Sequence, residues 1–152
     1  MTLPANVNLG FTEMIQAALV GVMRQTENKK NNLHPAHGAG THNEWQLNIE
    51  GAMGECAVAK FLNKYWCGTG TFGGTDVSDM DVRCTQGHGN RLILHKRDDD
   101  NRMFWLVTGR NGDYRVQGWI MGRDGKQEKY WEDPQGTGRH AYFIPQEDLN
   151  GR

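Results

Sequence analysis

One stretch decides the fold, Gly73-Gly74-Thr75-Asp76-Val77-Ser78-Asp79-Met80-Asp81-Val82-Arg83-Cys84-Thr85. The alternation of side chains from Met80 to Thr85 predicts a β-strand with two unlike faces. The charged face carries Asp79, Asp81 and Arg83. The apolar face, which we expect to contact the core, carries Met80, Val82 and Cys84. Aspartate is disfavoured in strands, so these acids indicate either a functional site or an exposed edge strand whose charges block aggregation.

A predicted helix precedes this strand and carries one acidic residue among small and apolar neighbours. Asn43 and Gln46 form a capping-box pattern, so the helix should run from Glu44 to about residue 65. Helical steps of four, three and four place Glu55 on a stripe with Gly51, Val58 and Leu62. A carboxylate is rarely buried in such a place unless it pairs with a basic residue, such as Arg83, or binds a metal.

The N-terminal third is predicted to form a helix and a polar loop. Thr12 can cap a helix from Glu13 to about residue 25. Its apolar face, which we assign to the core, carries Phe11, Ile15, Ala18, Leu19, Val22 and Met23. Residues 26–43 form a polar loop, and its histidines match no zinc-binding pattern. In the second helix, Gly51 and Gly54 predict the close approach of another backbone.

The C-terminal half, residues 86–152, is predicted to consist mainly of strands. The turn Gln86–Asn90 should join a strand over residues 91–95 to the acidic strand as a hairpin. Asn111-Gly112 is a strong signal for a second hairpin. We therefore expect an α+β fold with two N-terminal helices against a mostly antiparallel, twisted sheet of five or six strands. The expected organisation is one domain, residues 1–152. It consists of an N-terminal helix and polar loop (1–43), the helix and strand that carry the acids (44–85) and a β-rich part (86–152).

Composition limits the class of protein. A length of 152 residues suits one domain. A net charge of −1 provides no overall positive field that would attract nucleic acid, so any contact with DNA must come from local groups of basic residues. Three cysteines, Cys56, Cys67 and Cys84, are an odd number without metal-ligand spacing, and we expect buried or idle thiols. No signal peptide or membrane span is evident in the sequence, so we expect a cytoplasmic protein.

The acids suit one chemistry, the metal-assisted hydrolysis of a phosphate ester. Mg²⁺ binds one or two carboxylates, several waters and a substrate phosphate oxygen. In this hypothesis Asp76 and Asp81 are the ligands, and Glu55 is an outer ligand or a group that orients water. Arg83 supplies the cation that stabilises developing negative charge.

The residues Gly54-Glu55, Asp76 and Asp81-Val82-Arg83, in this order, resemble the PD-(D/E)XK nuclease superfamily of restriction-type endonucleases and archaeal Holliday-junction resolvases. The resemblance implies a restriction-endonuclease-like fold, bound Mg²⁺ or Mn²⁺, and a DNA substrate. It implies catalytic roles for Glu55, Asp76, Asp81 and Arg83, with the three acids as metal ligands. Arg83 stands where lysine is usual, which leaves charge stabilisation but not a base role. The gap from Asp76 to Asp81 is short for the family, so Asp79 is an alternative first ligand.

The whole chain also resembles uncharacterised small proteins of tailed phages, through Gly118-Trp119-Ile120 and Tyr142-Phe143-Ile144-Pro145. We therefore expect a phage-encoded, metal-dependent deoxyribonuclease in the host cytoplasm, acting on duplex, single-stranded, branched or junction DNA. A homodimer is expected if junctions are cut, because two cuts need two sites. The alternative is a catalytically inactive protein of the same fold that binds DNA or a host factor. The residues expected to contact DNA are Lys60, Arg91, His95 and Lys96.

Overall fold

The computed structural model of the chain describes residues 2–33, 43–69 and 74–152. Within these ranges it contains three α-helices and seven strands. The helices are α1 (Phe11–Lys30), α2 (Glu44–Phe61) and α3 (Gly122–Gly125). The strands are β1 (Ala5–Asn8), β2 (Met80–Thr85), β3 (Leu92–Leu94), β4 (Met103–Arg110), β5 (Asp113–Met121), β6 (Trp131–Glu132) and β7 (Ala141–Ile144). The predicted loop histidines, His34, His37 and His42, lie outside the described residues.

Two sheets form the centre of the fold. The first has the strand order β1-β5-β4-β2, and the second has the order β3-β7-β6. Strand β4 is buried on both faces because Trp105 and Val107 join the core beneath α2, while Phe104 and Leu106 join a second core against the other sheet. The layers are therefore helices, first sheet and second sheet, which confirms the predicted α+β class.

The prediction of a single sheet is wrong, although the described strand pairs are mostly antiparallel, as predicted. Seven strands divide into sheets of four and three, and β2 pairs with β4 in parallel. The predicted β2–β3 hairpin is also wrong, since β3 pairs with β7. The physical reason is burial. Leu92 and Leu94 are fully buried in the second core, and this requires β3 to lie in the second sheet and not beside β2. The β4–β5 hairpin does form, with left-handed backbone at Asn111 (φ 56°) and Gly112 (φ 89°).

Helix α1 is oriented differently from the prediction. Its expected core face is exposed, with Phe11 82% and Leu19 64% accessible, and the opposite face is buried instead. That buried face carries Ala17, Gly21 and Gln25. Small side chains allow two helix axes to approach closely, and α2 packs against this face. The helix begins at Phe11 and not at Glu13, and it continues to Lys30.

Other predicted details of the helices change as well. Helix α2 ends at Phe61, several residues before the predicted end. At the start of α1, the Gly10 amide donates to Glu13 Oε2 at 2.6 Å, whereas the predicted cap of α2 does not form, because the Asn43 side chain makes no cap hydrogen bond. No helix in the described parts of the chain has the length and apolar character needed to cross a membrane.

The contact between α1 and α2 provides a test of the packing. A Cβ on Gly21 would lie 2.5 Å from the Ile49 Cα and 2.7 Å from the Asn48 carbonyl oxygen. Because backbone atoms cannot move aside easily, Gly21→Ala should lower the free energy of unfolding by about 1–3 kcal/mol. Urea denaturation followed by tryptophan fluorescence measures this change.

Gly51→Ala is the matched control for that substitution. Among the described residues, no heavy atom outside its own helix lies within 4 Å of a Cβ at Gly51, so the predicted close approach is not seen at this position. Alanine should be neutral there or stabilise α2 by up to about 1 kcal/mol through its helix propensity. A similar loss of stability in both variants would contradict the helix contact. Gly54 does have close neighbours, with its Cβ position 2.7 Å from Cys84 Sγ.

Candidate functional site

The turn before β2 determines the position of Asp76. Val77 and Met80 form an isolated antiparallel bridge, and Ser78 at the tip has a left-handed backbone with φ of 56°. The turn folds Asp76 back over the start of β2, where its Oδ2 accepts a hydrogen bond of 2.8 Å from the Val82 amide. Asp79, the alternative first ligand, is exposed on the same turn. The structure thus places Asp76 in a half-buried position beneath the turn and Asp79 at the surface.

Glu55 is buried in α2 and forms a bidentate ion pair with an arginine of α1. Its carboxylate oxygens accept hydrogen bonds from Arg24 Nη1 at 2.6 Å and Nη2 at 2.9 Å, and Oε2 also accepts one from Trp66 Nε1 at 3.1 Å. The paired basic residue is therefore Arg24 of α1, and not Arg83 as the sequence suggested. Bidentate geometry is the strongest form of the arginine–carboxylate contact.

Arg24 connects α1 to the loop after α2 as well as to Glu55. Its Nε donates to the Thr69 carbonyl oxygen at 2.8 Å. Burial alone would lower the pKa of the Arg24 guanidinium, but the hydrogen bonds and the charge of Glu55 outweigh this effect, and the net shift is upward. Arg24 therefore stays charged and fixes the Glu55 carboxylate in one orientation.

Asp76 is the most strongly perturbed acid in this region. Burial is the main cause that raises its pKa to about 7, and the negative charges of Glu55 and Asp81 raise it further. The Val82 amide and the Arg24 charge act in the opposite direction but do not compensate. The three predicted acids are thus close enough to repel one another, and this repulsion contributes to the raised pKa of Asp76.

A small polar cavity of about 130 Å³ lies beside Asp76. Its walls come from α1, α2 and the loops before β2, through Arg24, Asn28, Asn48, Thr69, Gly74 and Thr75. Within the ranges that the structure describes, no three His, Cys, Asp or Glu side chains are arranged to hold a metal ion together. Any cation here would depend on one or two carboxylates and on water.

Asp81 and Arg83 form separate ion pairs on the other face of β2. Asp81 Oδ2 lies 3.2 Å from Arg102 Nη1, and Arg83 Nη2 donates to Asp98 Oδ1 at 2.9 Å. The Arg83 guanidinium also lies over the Phe104 ring, 4.9 Å from its centroid. Arg83 is thus directed toward the space between the two sheets.

The four residues expected to contact DNA separate into two groups. Lys60 donates to the Asn8 carbonyl oxygen at 2.8 Å and to Glu13 Oε2 at 2.9 Å, so it joins α2 to the N-terminal segment. Arg91 and His95 line a large cavity between the sheets, and Lys96 lies over the Trp131 ring at its rim. In the structure, three of the four residues therefore lie in one region, away from Lys60.

Several residues of the site were missed or misjudged from the sequence. Arg24 was assigned to a packing helix, although its spacing from Ala17 and Gly21 places it on the face with small residues. Glu50, which has no role in the sequence-based hypothesis, is buried and accepts a 2.7 Å hydrogen bond from the Tyr114 hydroxyl. Asp98, in a run of three consecutive aspartates that the hypothesis does not use, forms an ion pair with Arg83.

The cysteines take no part in this arrangement. Cys56, Cys67 and Cys84 are all free thiols. Burial raises the pKa of Cys56 to about 11 and that of Cys84 to about 12, so neither thiol is ionised at neutral pH. Cys67 is exposed, so of the two expected alternatives, a buried thiol or a thiol without a role, only the second is left for it, as a prediction.

Compared with protein-family models, curated proteins and solved structures, the chain matches none of them.

Proposed function

We propose that this chain is a phage-encoded, Mg²⁺- or Mn²⁺-dependent deoxyribonuclease with a restriction-endonuclease-like fold. The observation that carries the proposal is the group of mutually repelling acids around Asp76, whose pKa is raised to about 7 beside a polar cavity. Strongly perturbed carboxylates in a cleft are typical of functional sites, although ion-pair networks also produce them. The order of helix acid, turn acid and strand acid supports the same assignment.

The donor set suits a hard divalent cation. Asp76 and Glu55 provide carboxylate oxygens, and a cation beside them would offset the burial and the negative charges of Glu55 and Asp81, which raise the pKa of Asp76. The Val82 amide and the Arg24 guanidinium hold these two carboxylates in fixed positions. When bound, the metal ion would polarise the phosphate and orient water.

The protein groups have distinct roles in this proposal. Glu55, held in place by Arg24 and Trp66, orients water. Arg83 provides positive charge near the substrate strand and transfers no proton, because a guanidinium stays protonated at all working pH values. We place the activity in the host cytoplasm, and we expect a homodimer if four-way junctions are cut.

The test is cleavage of a panel of labelled DNAs, namely duplex, single strand, flap and four-way junction, with Mg²⁺, Mn²⁺ or EDTA. Wild type should cut at least one substrate only when metal is present. Asp81→Asn should cut that substrate about 10–100-fold more slowly, as is typical for groups that support a metal site indirectly.

Asp79→Asn is the matched control because Asp79 is exposed on the turn, two residues before Asp81. It should cut at the wild-type rate. If Asp79→Asn slowed cleavage as much as Asp81→Asn does, the assignment of Asp76 over Asp79 would be wrong. Equal cutting by wild type and Asp81→Asn would indicate a contaminating nuclease.

A second candidate function is favoured by the bidentate Arg24–Glu55 ion pair. The bidentate contact already neutralises Glu55, and Arg83 is engaged by Asp98. These contacts suit a catalytically inactive protein on the same fold that binds DNA or a host factor. DNA binding in EDTA, with no cleavage of any substrate in either metal, would establish this alternative.

A further inference from the structure

Helix α1 exposes a continuous apolar stripe on the side opposite the face that packs on α2. The stripe consists of Phe11, Ile15, Leu19, Val22 and Met23. The accessible fractions of these five residues range from 39% at Val22 and Met23 to 82% at Phe11. Single exposed apolar residues are ordinary, but a row of large ones on one helix face is typical of an interaction surface.

The stripe is free of charged residues. Glu13 is the one charged side chain among residues 1–23, and it accepts a hydrogen bond from Lys60 at 2.9 Å. Arg24, the next charged residue, is bound to Glu55. A protein surface that covers the stripe therefore buries no unpaired charge. The stripe also lacks the rows of Lys and Arg by which amphipathic helices bind anionic lipid, so a protein partner fits it better than a membrane does.

The positions of the apolar residues are symmetric about Ala17. A two-fold axis at Ala17, perpendicular to the helix, places Phe11 opposite Met23 of a second copy and Ile15 opposite Leu19 of that copy. Each contact then occurs twice, and both members of each pair are apolar. A two-fold interface requires this kind of self-complementarity, since the same surface patch serves both copies.

The area of the stripe suits a weak dimer. Its exposed fractions together equal between two and three complete residues. At roughly 150–250 Å² for a large apolar side chain, this is about 500 Å² per copy. Pairing two copies removes about 1,000 Å² of apolar surface from water, which lies at the lower limit for specific protein–protein interfaces.

We propose that this stripe is the contact between two copies of the chain, in an antiparallel α1–α1 dimer centred on Ala17. Because α2 lies on the other side of α1, the contact leaves the buried Arg24–Glu55 pair intact. Arg24 is seven residues from the axis, so the Arg24 residues of the two copies are about 21 Å apart along the helix direction. The proposed nuclease requires a homodimer only if it cuts junctions, whereas the stripe predicts a dimer whatever the substrate.

Sedimentation velocity of the full chain between about 1 and 200 μM tests the dimer, with affinities in the micromolar range expected for an interface of this size. Wild type should change with concentration from a 17.2 kDa species to one of twice that mass. Leu19→Gln should weaken association at least about tenfold, because it places an uncompensated amide near the axis. Leu47→Gln, at an exposed leucine of α2, is the matched control and should associate like wild type.

Circular dichroism and Tm verify that both variants are folded, as expected for changes at exposed positions. A wild type that stays monomeric throughout the concentration range would overturn the proposal. An equal loss of association in Leu19→Gln and Leu47→Gln would overturn it too, since the contact would then not be specific to α1.

A charge-pair experiment tests the antiparallel register. Ile15→Glu and Leu19→Lys should each prevent self-association, because each puts two charges into the contact. An equimolar mixture of the two variants should associate at least about fivefold more tightly than either variant alone. In the mixed dimer the introduced carboxylate lies opposite the introduced ammonium, and one Ile15–Leu19 contact is retained. No gain on mixing would contradict the register centred on Ala17.

Lipid is the other occupant that an apolar helix face can accept. In sedimentation with vesicles of phosphatidylcholine and phosphatidylglycerol in equal parts, wild type should remain in solution. Sedimentation with the vesicles that Leu19→Gln abolishes would overturn the proposal in favour of a membrane contact. The cleavage test has a separate outcome: DNA cleavage by a monomeric wild type refutes the dimer and leaves the nuclease, whereas a dimer that cuts no DNA does the reverse.

Discussion

The Asp76→Asn variant should be more stable than wild type at pH 8 and should lose metal-dependent cleavage. The folded-state pKa of Asp76 is raised to about 7, whereas an unfolded aspartate titrates near 3.9. Between these values the folded protein holds a proton that the unfolded chain has released. Wild-type stability should therefore fall as pH rises from about 4 to 7, by up to about 4 kcal/mol in total, and then level off.

Asparagine resembles the protonated acid and removes this dependence. Urea denaturation in EDTA at pH 5 and pH 8, followed by tryptophan fluorescence, measures both proteins. The Asp76→Asn variant should already be about 1–2 kcal/mol more stable than wild type at pH 5, and the difference should be largest, up to about 4 kcal/mol, at pH 8. Asp79→Asn, which removes an exposed carboxylate from the same turn, should keep the wild-type decline. Equal stability of wild type and Asp76→Asn at pH 8 would show that Asp76 is not destabilised in the folded protein.

Metal addition provides the second half of this test. At pH 8, Mg²⁺ at about 100 times its dissociation constant should stabilise wild type by about 2.7 kcal/mol, since it binds the folded state only. For a chain of this size that corresponds to an increase in Tm of roughly 5–11 °C. Asp76→Asn should show little increase. An equal increase in both proteins would place the metal elsewhere on the chain.

The Arg24→Met variant should be less stable than wild type by about 3–5 kcal/mol. Methionine fills a similar volume but leaves the buried Glu55 carboxylate with Trp66 as its remaining donor among the hydrogen bonds described above. Removing one partner of a buried ion pair is costly because the other charge stays out of water. Urea denaturation at pH 7 measures the loss.

Three comparisons define the cause of that loss. Lys30→Met removes an exposed cation from the same helix and should change stability by less than about 1 kcal/mol. The double variant Arg24→Met with Glu55→Gln should recover part of the loss, since no charge is then buried. Arg24→Lys should be intermediate because an ammonium cannot reproduce the bidentate contact. A loss below about 1 kcal/mol in Arg24→Met would contradict the buried pair.

The local pattern of the sequence identified several elements correctly. Strand β2 was placed by the alternation from Met80 to Thr85, and the Asn111-Gly112 turn predicted the β4–β5 hairpin. Glu55 was recognised as a buried acid because its helical neighbours are small or apolar. These predictions succeed because side-chain periodicity and turn chemistry are properties of a few consecutive residues.

Other features depended on which segments meet in space. The apolar stripe of α1 predicted the wrong buried face because two helices in close contact favour small residues, and Gly21 lies where Ile49 approaches. The partner of β3 depended on where Leu92 and Leu94 could be buried, and periodicity does not identify a partner strand. A parallel β2–β4 pair likewise requires a crossover that no local pattern records.

For the candidate site, the sequence determined which acids are present and their order along the chain. Only the tertiary structure decided that Arg24 pairs with Glu55, that Asp76 and not Asp79 lies half-buried beneath the turn, and that Arg83 turns toward the cavity between the sheets. The physical reason is that charge interactions depend on distance and burial. Arg24 and Glu55 are 31 positions apart in sequence, and only the packing of α1 on α2 brings them to 2.6 Å.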